Sequence, residues 1–357
     1  MIDPAFWSGR RVLVTGHTGF KGGWLCLWLA RMGARVAGYA LAPSTDPCLY
    51  AGAGVGAAVD GHLADIRDQA RLTDVFAGFR PEIVFHLAAQ PLVRLSYADP
   101  VATYATNVLG TVHLLEAVRR TGGVAALINV TSDKCYENRE WMWGYRESDR
   151  LGGSDPYSSS KACAELVHRA YAKSFLERAA AGERAVAHAT VRAGNVIGGG
   201  DWAEDRLVPD AVRAFGAGAP LRIRNPGSVR PWQHVLDPLA GYLLLAQRLA
   251  QEGAAWNGAW NFGPDDSQVR RVGEVADALV SRWGAGARWE HDGGTHPAES
   301  GLLLLDSARA RHVLGWHPRW ALDAALDRTV HWYREFRAGA DVRALCLRQI
   351  EEYVSHA

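Results

Sequence analysis

Tyr157 and Lys161 stand four residues apart, opening a helical pattern that runs through Ala162 to Phe175. Positions i and i+4 share one face of a helix, so a phenol and an ammonium can sit side by side there. A neighbouring ammonium favours the phenolate and draws the phenol below its ordinary pKa of about 10. A tyrosine tuned in this way can take the proton of a hydroxyl while a hydride leaves the same carbon. An exposed Tyr/Lys pair on any helix has the same spacing, so the chemistry depends on what surrounds it. The second group with chemistry is Ser132-Asp133-Lys134, which closes the apolar strand pattern Ala126 to Ser132. A hydroxyl, a carboxylate and an ammonium in a row form an acid/base set, and the carboxyl ends of strands are where open α/β sheets bind ligands. A turn held by Ser and Asp, followed by an exposed Lys, is the plain alternative.

A hydride needs an acceptor, and the start of the chain has the form of a cradle for one. Arg11 to Thr15 is a short β-rich apolar run, Gly16 to Gly22 follows with G-x-x-G-x-x-G spacing, and Trp24 to Arg31 has a helical pattern. Strand, glycine turn and helix in that order is the context of a dinucleotide fingerprint. Gly16 allows the tight turn, Gly19 lets backbone approach a pyrophosphate, and Gly22 lets helix pack on strand. Gly16, His17, Thr18, Gly19, Phe20, Lys21 and Gly22 are therefore candidate cofactor contacts. The second strand is expected at Arg35 to Leu41; no acid follows it until Asp46, and no arginine stands there either. That position leaves NAD and NADP both open. Asp65 and Ile66, after a third strand, are candidates for the adenine edge, although Asp65 equally suits a helix N-cap. Glu82 to Ala89 is a near-continuous apolar strand, as in a parallel sheet buried on both faces. It ends at Leu87, Ala88, Ala89 and Gln90, mostly small residues that leave room for a nucleotide. Pro100 to Arg120 has the pattern of one long amphipathic helix with Asn107 inside it.

After Arg192 the strand–helix rhythm breaks. A glycine-rich loop leads to Trp202, and short strands are expected at Leu221 to Arg224 and Val229 to Val235. Helical patterns follow at Asp237 to Leu249 and Val272 to Trp283, with a last one at Leu322 to Phe336. The expected fold is α/β, a Rossmann-type doubly wound parallel sheet with a smaller mixed α/β substrate lobe. Residues 1–192 form the cofactor-binding domain, with later strands contributed from the C-terminal part, and residues 193–357 are mainly the substrate lobe.

Composition excludes several classes. Hydrophobic residues make up 48% and charged ones 22%, an ordinary soluble balance. A net charge of +1 leaves no basic field for nucleic acid or a membrane surface. Five scattered cysteines without C-x-x-C spacing point to a reducing, cytoplasmic setting and away from a metal site. Met1 to Arg11 lacks a signal-peptide pattern, and the apolar run Val235 to Ala246 carries Asp237 and Pro238 and is too short to span a bilayer. Trp141, Trp143 and Trp202 are candidate walls of a shared pocket.

Together these motifs resemble the extended short-chain dehydrogenase/reductase family, and within it the nucleotide-sugar 4,6-dehydratases. The resemblance covers nearly the whole chain and rests on residues 16–22, 86–91, 103–111, 131–138, 155–161 and 192–202. Ser132-Asp133-Lys134 is similar to the CDP-glucose branch; the dTDP-glucose enzymes carry Thr-Asp-Glu there, and simple epimerases lack the acid/base pair. The resemblance implies NAD as cofactor and CDP-glucose as the favoured substrate. It implies that Tyr157 takes the proton of the sugar 4-hydroxyl, with Ser132 on the same oxygen. Lys161 then keeps Tyr157 acidic and holds the nicotinamide ribose, and Asn107 braces the site. Asp133 becomes the acid for the departing 6-hydroxyl and Lys134 the base for the C5 proton. Each needs its pKa moved toward neutrality, which burial favours and their adjacency opposes. Asn195 and Arg230 are implied at the substrate diphosphate, with Arg94 and His234 as further candidates. A homodimer through the helices at Pro100 to Arg120 and Tyr157 to Phe175 is implied as well. Two alternatives stay open: a dehydratase or epimerase for another nucleotide sugar, and a non-catalytic nucleotide-binding scaffold.

Overall fold

The computed structural model describes residues 1–178, 185–284, 286–296 and 300–355. The first half runs α1 (Pro4–Trp7), β1 (Arg11–Thr15), α2 (Phe20–Arg31), β2 (Arg35–Ala40), α3 (Leu49–Gly52), β3 (Asp60–Leu63), α4 (Gln69–Phe79) and β4 (Ile83–His86). There follow α5 (Val93–Ala98), α6 (Pro100–Tyr104), α7 (Gly110–Thr121), β5 (Ala126–Val130), α8 (Pro156–Tyr171) and β6 (Ala187–Ala193). The remainder is β7 (Asn195–Ile197), α9 (Leu207–Gly216), β8 (Leu221–Ile223), β9 (Val229–Arg230), β10 (Trp232–His234), α10 (Leu236–Glu252) and β11 (Gly258–Phe262). It closes with β12 (Arg270–Arg271), α11 (Val272–Trp283), β13 (Trp289–His291), α12 (Leu322–Arg337) and α13 (Val342–Ser355).

Seven parallel strands form one sheet in the order β11-β6-β5-β4-β1-β2-β3. The order reverses between β1 and β4, which opens a crevice beyond their carboxyl ends. Apolar side chains on both faces of β1, β4 and β5 explain why helices cover both sides. One face is packed by Trp24, Leu25 and Trp28 of α2 together with Leu239, Leu243 and Leu245 of α10. The other is packed by Leu72 and Phe76 of α4 and by Leu114, Leu115 and Val118 of α7. Three small two-stranded sheets, β7 with β10, β9 with β12 and β8 with β13, make up the lobe above the strand ends.

The helix expected from Pro100 to Arg120 is interrupted. Ala105–Leu109 forms a π-turn between α6 and α7, and its wider turn carries the buried Asn107. A second π-turn, Ala172–Leu176, ends α8. The last helix is also not the one expected: α13 follows α12 and lies against α2, with Tyr353 and Trp28 ring centroids 5.7 Å apart. Its buried positions Val342, Leu345, Cys346, Ile350 and Tyr353 keep the helical period, so the signal stood in the sequence. Trp141 and Trp143 do pack together, 5.3 Å between centroids, but Trp202 follows β7 into the lobe and packs on Tyr333 and Phe336 instead. Among the described residues no helix is long and apolar enough to cross a membrane.

The C-terminal helix is held by a buried carboxyl. Asp237 Oδ1 accepts from the Tyr353 hydroxyl at 2.7 Å and from the Arg319 amide at 2.8 Å. Burial pushes its pKa up to about 7, against those hydrogen bonds. The folded state therefore keeps a proton that the unfolded chain releases near pH 4, so this group's contribution falls as pH rises from about 4 to about 7. Asp237→Asn retains the acceptor oxygen and cannot ionise. Between pH 5 and pH 8 the wild type is expected to lose a few kcal/mol of stability relative to the variant. Urea unfolding of both proteins at the two pH values measures this; an unchanged difference would remove Asp237 as the titrating group.

Candidate active site

The glycine turn is built for close approach. Gly16 has φ +78°, and a Cβ there would lie 2.8 Å from the Ala88 nitrogen. A Cβ on Gly22 would lie 2.1 Å from the Gly16 oxygen, so helix and turn meet with no room for a side chain. Gly19 is the N-cap of α2 and supplies no side-chain bond, which leaves first-turn amides directed outward beside the crevice. Thr18 Oγ1 donates to the Leu41 carbonyl at 2.8 Å and ties the turn to the end of β2. Phe20 is half-buried against Gly198. A glycine cradle, a helix N-terminus and small strand-end residues fit a dinucleotide pyrophosphate. His17 is turned the other way. Its ring is fully buried beside Gly38 and Tyr50, and burial draws its pKa down to about 4.

The end of β4 is fixed by polar bonds. Thr15 Oγ1 accepts from the Leu87 and Ala88 amides at 3.1 Å and shares a 2.8 Å bond with His86 Nδ1. Asn107 Oδ1 accepts from the Gln90 amide at 2.8 Å, and its Nδ2 donates to Ser160 Oγ at 2.8 Å. Asn107 thus links Gln90, beyond the strand end, to the helix that carries Tyr157. Asp65 pairs through both carboxylate oxygens with Arg67, and Ile66 is buried against Gly110.

Asp155 caps α8, accepting from the Ser158 amide at 2.9 Å, with Pro156 as the first helical residue. This capping sequence sets where Tyr157 emerges. Tyr157 is 8% exposed and lies within hydrogen-bond reach of Ser132. Burial pushes its phenol up to about 12; the Ser132 hydrogen bond and the Arg206 charge act in the opposite direction. Ser132, Asp133 and Arg206 are the neighbours that act most on the Tyr157 phenol. Lys161 lies one turn further along α8. Its ammonium donates to the Val130 carbonyl at 3.4 Å, and burial draws it down to about 8 while Cys135 and Glu165 favour its charge. Ser132 Oγ donates to Asp133 Oδ1 at 3.0 Å and accepts from the Lys134 amide at 3.2 Å. Asp133 is buried, and burial raises its pKa against the charges of Lys134, Arg230 and Lys21. Lys21 reaches the same cluster from the first turn of α2; burial draws it down to about 8, with Arg206, Asp133, Lys161 and Asp201 around it. A buried phenol, a carboxyl biased toward its neutral form and three amines with a guanidinium make a site that can both remove and supply protons.

On the lobe side, Asn195 is half-buried on β7, where it pairs with Trp232. Arg230 is buried, donates to the Val229 and Ser300 carbonyls, and its charge acts on Asp133. Arg94 pairs with Asp205 at 2.7 Å, where Arg224 also converges at 2.8 Å, and so links α5 to the lobe. His234 is not in the crevice. It is fully buried between Trp24 and Trp320, and its Nδ1 accepts from the Leu236 amide at 3.3 Å. Arg206, paired with Asp201 at 2.8 Å, is the residue that spacing did not reveal. Its place near Tyr157 follows from the lobe folding back over the strand ends.

The described family model of GDP-mannose 4,6 dehydratase matches residues 13–329. A CDP-glucose 4,6-dehydratase of Salmonella typhimurium is 54% identical over 99% of this chain and 99% of its own length. A dTDP-glucose 4,6-dehydratase of Xanthomonas campestris is 26% identical over 90% of this chain and 92% of its own. The crystal structure of a UDP-glucose 4-epimerase from Thermus thermophilus in complex with NAD superimposes with a TM-score of 0.78. It is 26% identical, covering 91% of this chain and 99% of that one.

Proposed function

We propose, from the premise that this chain belongs to the GDP-mannose 4,6-dehydratase family of extended short-chain dehydrogenase/reductases, that it converts CDP-glucose to CDP-4-dehydro-6-deoxyglucose. The reaction is an NAD-dependent 4,6-dehydration of a nucleotide sugar. Bound NAD supplies the hydride acceptor for sugar C4 and the hydride donor for C6. The glycine turn from Gly16 to Gly22, Asp65, Ile66, Ala88, Ala89 and Gln90 hold the cofactor, with Asn107 fixing the strand end. Tyr157 takes the proton of the 4-hydroxyl; Ser132 orients that oxygen, and Arg206 favours the phenolate. Lys161, one turn further along the same face of α8, holds the nicotinamide ribose. A ketone at C4 acidifies the C5 proton, which Lys134 removes. Asp133 gives its proton to the 6-hydroxyl, the C6–O bond breaks, and one water leaves; as C6 is reduced, C5 takes back a proton from Lys134.

The observation that carries this reading is Asp133, a buried carboxyl with its pKa raised, hydrogen-bonded to Ser132 and beside Tyr157. A redox step at C4 alone needs no such acid; elimination of the 6-hydroxyl does. The CDP preference is supported by the full-length 54% identity to a protein named for that substrate. Asn195 and Arg230 bind the diphosphate in this reading, by charge-assisted pairing at the guanidinium.

The test is incubation with NAD and, separately, CDP-, dTDP-, UDP- and GDP-glucose, followed by mass spectrometry. Loss of one water from CDP-glucose is expected. Loss from another nucleotide sugar would move the base preference and keep the mechanism. An unchanged mass throughout would overturn dehydration.

We also assign a homodimer and a cytoplasmic location. Val101 and Tyr104 on α6, Leu109 in the π-turn before α7, Leu166 on α8 and Phe175 in the π-turn that follows it are exposed apolar side chains. A second copy packing its own α6–α8 on this stripe would bury them. Light scattering is expected to give twice the chain mass; a monomer mass at working concentration would exclude the dimer. The five cysteines are free thiols, which suits a reducing compartment.

A further inference from the structure

We propose that Glu165 and Arg192, a buried ion pair behind the strand end, are positioning residues that hold Ser132, Asp133 and Lys134 in register with Tyr157 and Lys161. Glu165 is 4% and Arg192 2% exposed. Both carboxylate oxygens are fully used. Oε1 accepts from Thr131 Oγ1 at 2.6 Å and Arg192 Nε at 2.8 Å, and Oε2 accepts from Thr190 Oγ1 at 2.7 Å and Arg192 Nη2 at 2.8 Å. Arg192 Nη1 then donates to the Tyr136 hydroxyl at 2.7 Å, with the guanidinium 4.8 Å from that ring's centroid. Tyr136 passes the contact to Asn261 Oδ1 at 2.7 Å, and so to β11.

The connectivity matters more than the count of bonds. Thr131 immediately precedes Ser132, and Tyr136 lies two residues after Lys134. The catalytic triplet is therefore bracketed by two contacts to one ion pair. Glu165 stands one helical turn beyond Lys161 on α8, on the face that also carries Tyr157. One rigid unit thus fixes the two elements that supply all five proton-handling groups. A buried ion pair adds little net stability over an apolar pair of the same size, but removing one partner leaves a buried charge uncompensated. Its use here is geometric: elimination requires Asp133 and Lys134 to reach C6–O and C5–H of a sugar whose C4 oxygen is held by Tyr157. The negative charge of Glu165 also favours the ammonium form of Lys161.

This assignment rests on the dehydration reading, and the experiment separates the two. Wild type, Glu165→Gln and Thr131→Val are compared with NAD and the nucleotide sugar that the wild type dehydrates. Turnover, KM, melting temperature and reduced-nicotinamide absorbance during steady state are recorded. Glu165→Gln is expected to lower kcat roughly ten- to hundredfold with KM nearly unchanged. Reduced nicotinamide is expected to accumulate, because elimination slows more than C4 oxidation. Thr131→Val leaves the ion pair in place and cuts one of its two links to the catalytic loop, that through Tyr136 remaining; the same signature is expected at a smaller size, roughly threefold in kcat. It also keeps the test decisive if Glu165→Gln does not fold. Wild-type kcat and no accumulation in Thr131→Val, or a lowered melting temperature alone in Glu165→Gln, would overturn the positioning role. A wild type that dehydrates no nucleotide sugar would instead overturn the function on which it rests.

Discussion

Tyr157→Phe is expected to lower turnover roughly 10²- to 10⁴-fold and to leave dinucleotide binding intact. The ring is buried, and the substitution removes one oxygen without changing the packing around it. The lost bond is the one to Ser132, after β5, and not one made by the glycine cradle. The phenol sits at about 12 in the free chain because burial disfavours its anion. The phenolate is the form that accepts the proton, so the rate should rise with pH along the limb that Tyr157 sets. That limb should be missing from whatever activity Tyr157→Phe retains. Steady-state rates across pH, with dinucleotide titration followed by tryptophan fluorescence, measure both parts. Full activity in the variant would remove Tyr157 as the base, and lost binding would make it a structural residue of the cradle.

Lys134→Ala carries the second large effect. Dehydration is expected to fall roughly 10²- to 10³-fold, while C4 oxidation, followed by reduced-nicotinamide absorbance in a single turnover, falls far less. The reason is a division of labour at the end of β5. Asp133 is buried and biased toward the carboxylic acid, so it is equipped to give a proton rather than take one. Lys134, next to it and half-buried, is left as the group that removes the C5 hydrogen. Solvent deuterium should therefore enter C5 with the wild type and not with Lys134→Ala. Exchange that survives in Lys134→Ala but disappears in Asp133→Asn would reverse the two roles.

Both experiments address residues that local spacing made visible, and the physical reason is that each belongs to a short, self-contained device. Gly16 and Gly22 are identifiable because a turn between strand and helix admits nothing larger, and the contacts of 2.8 and 2.1 Å express that steric limit. Tyr157 is placed by its own N-cap, Asp155, two residues before it. Ser132, Asp133 and Lys134 follow directly from β5, whose apolar run specifies a buried parallel strand with a ligand-facing end. The π-turn at Asn107 was not visible, since one extra residue in a helical turn hardly alters an amphipathic pattern. The helix α13 is legible in its periodicity, with Val342, Leu345, Cys346, Ile350 and Tyr353 at helical spacing.

The sequence by itself determined the fold class, the cradle and the residues at the strand ends, because those depend on neighbours a few positions away. Only the tertiary structure decided what each titrating group faces. His234 went into the core between Trp24 and Trp320, and His17 turned under Gly38, away from the crevice. Lys161 faces the Val130 carbonyl, while Arg206 and Lys21 come in to the catalytic cluster from the lobe and from α2. Burial and charge at one point in space are set by segments far apart in the chain. No local period records them, so protonation states are decided when the lobe closes over the sheet.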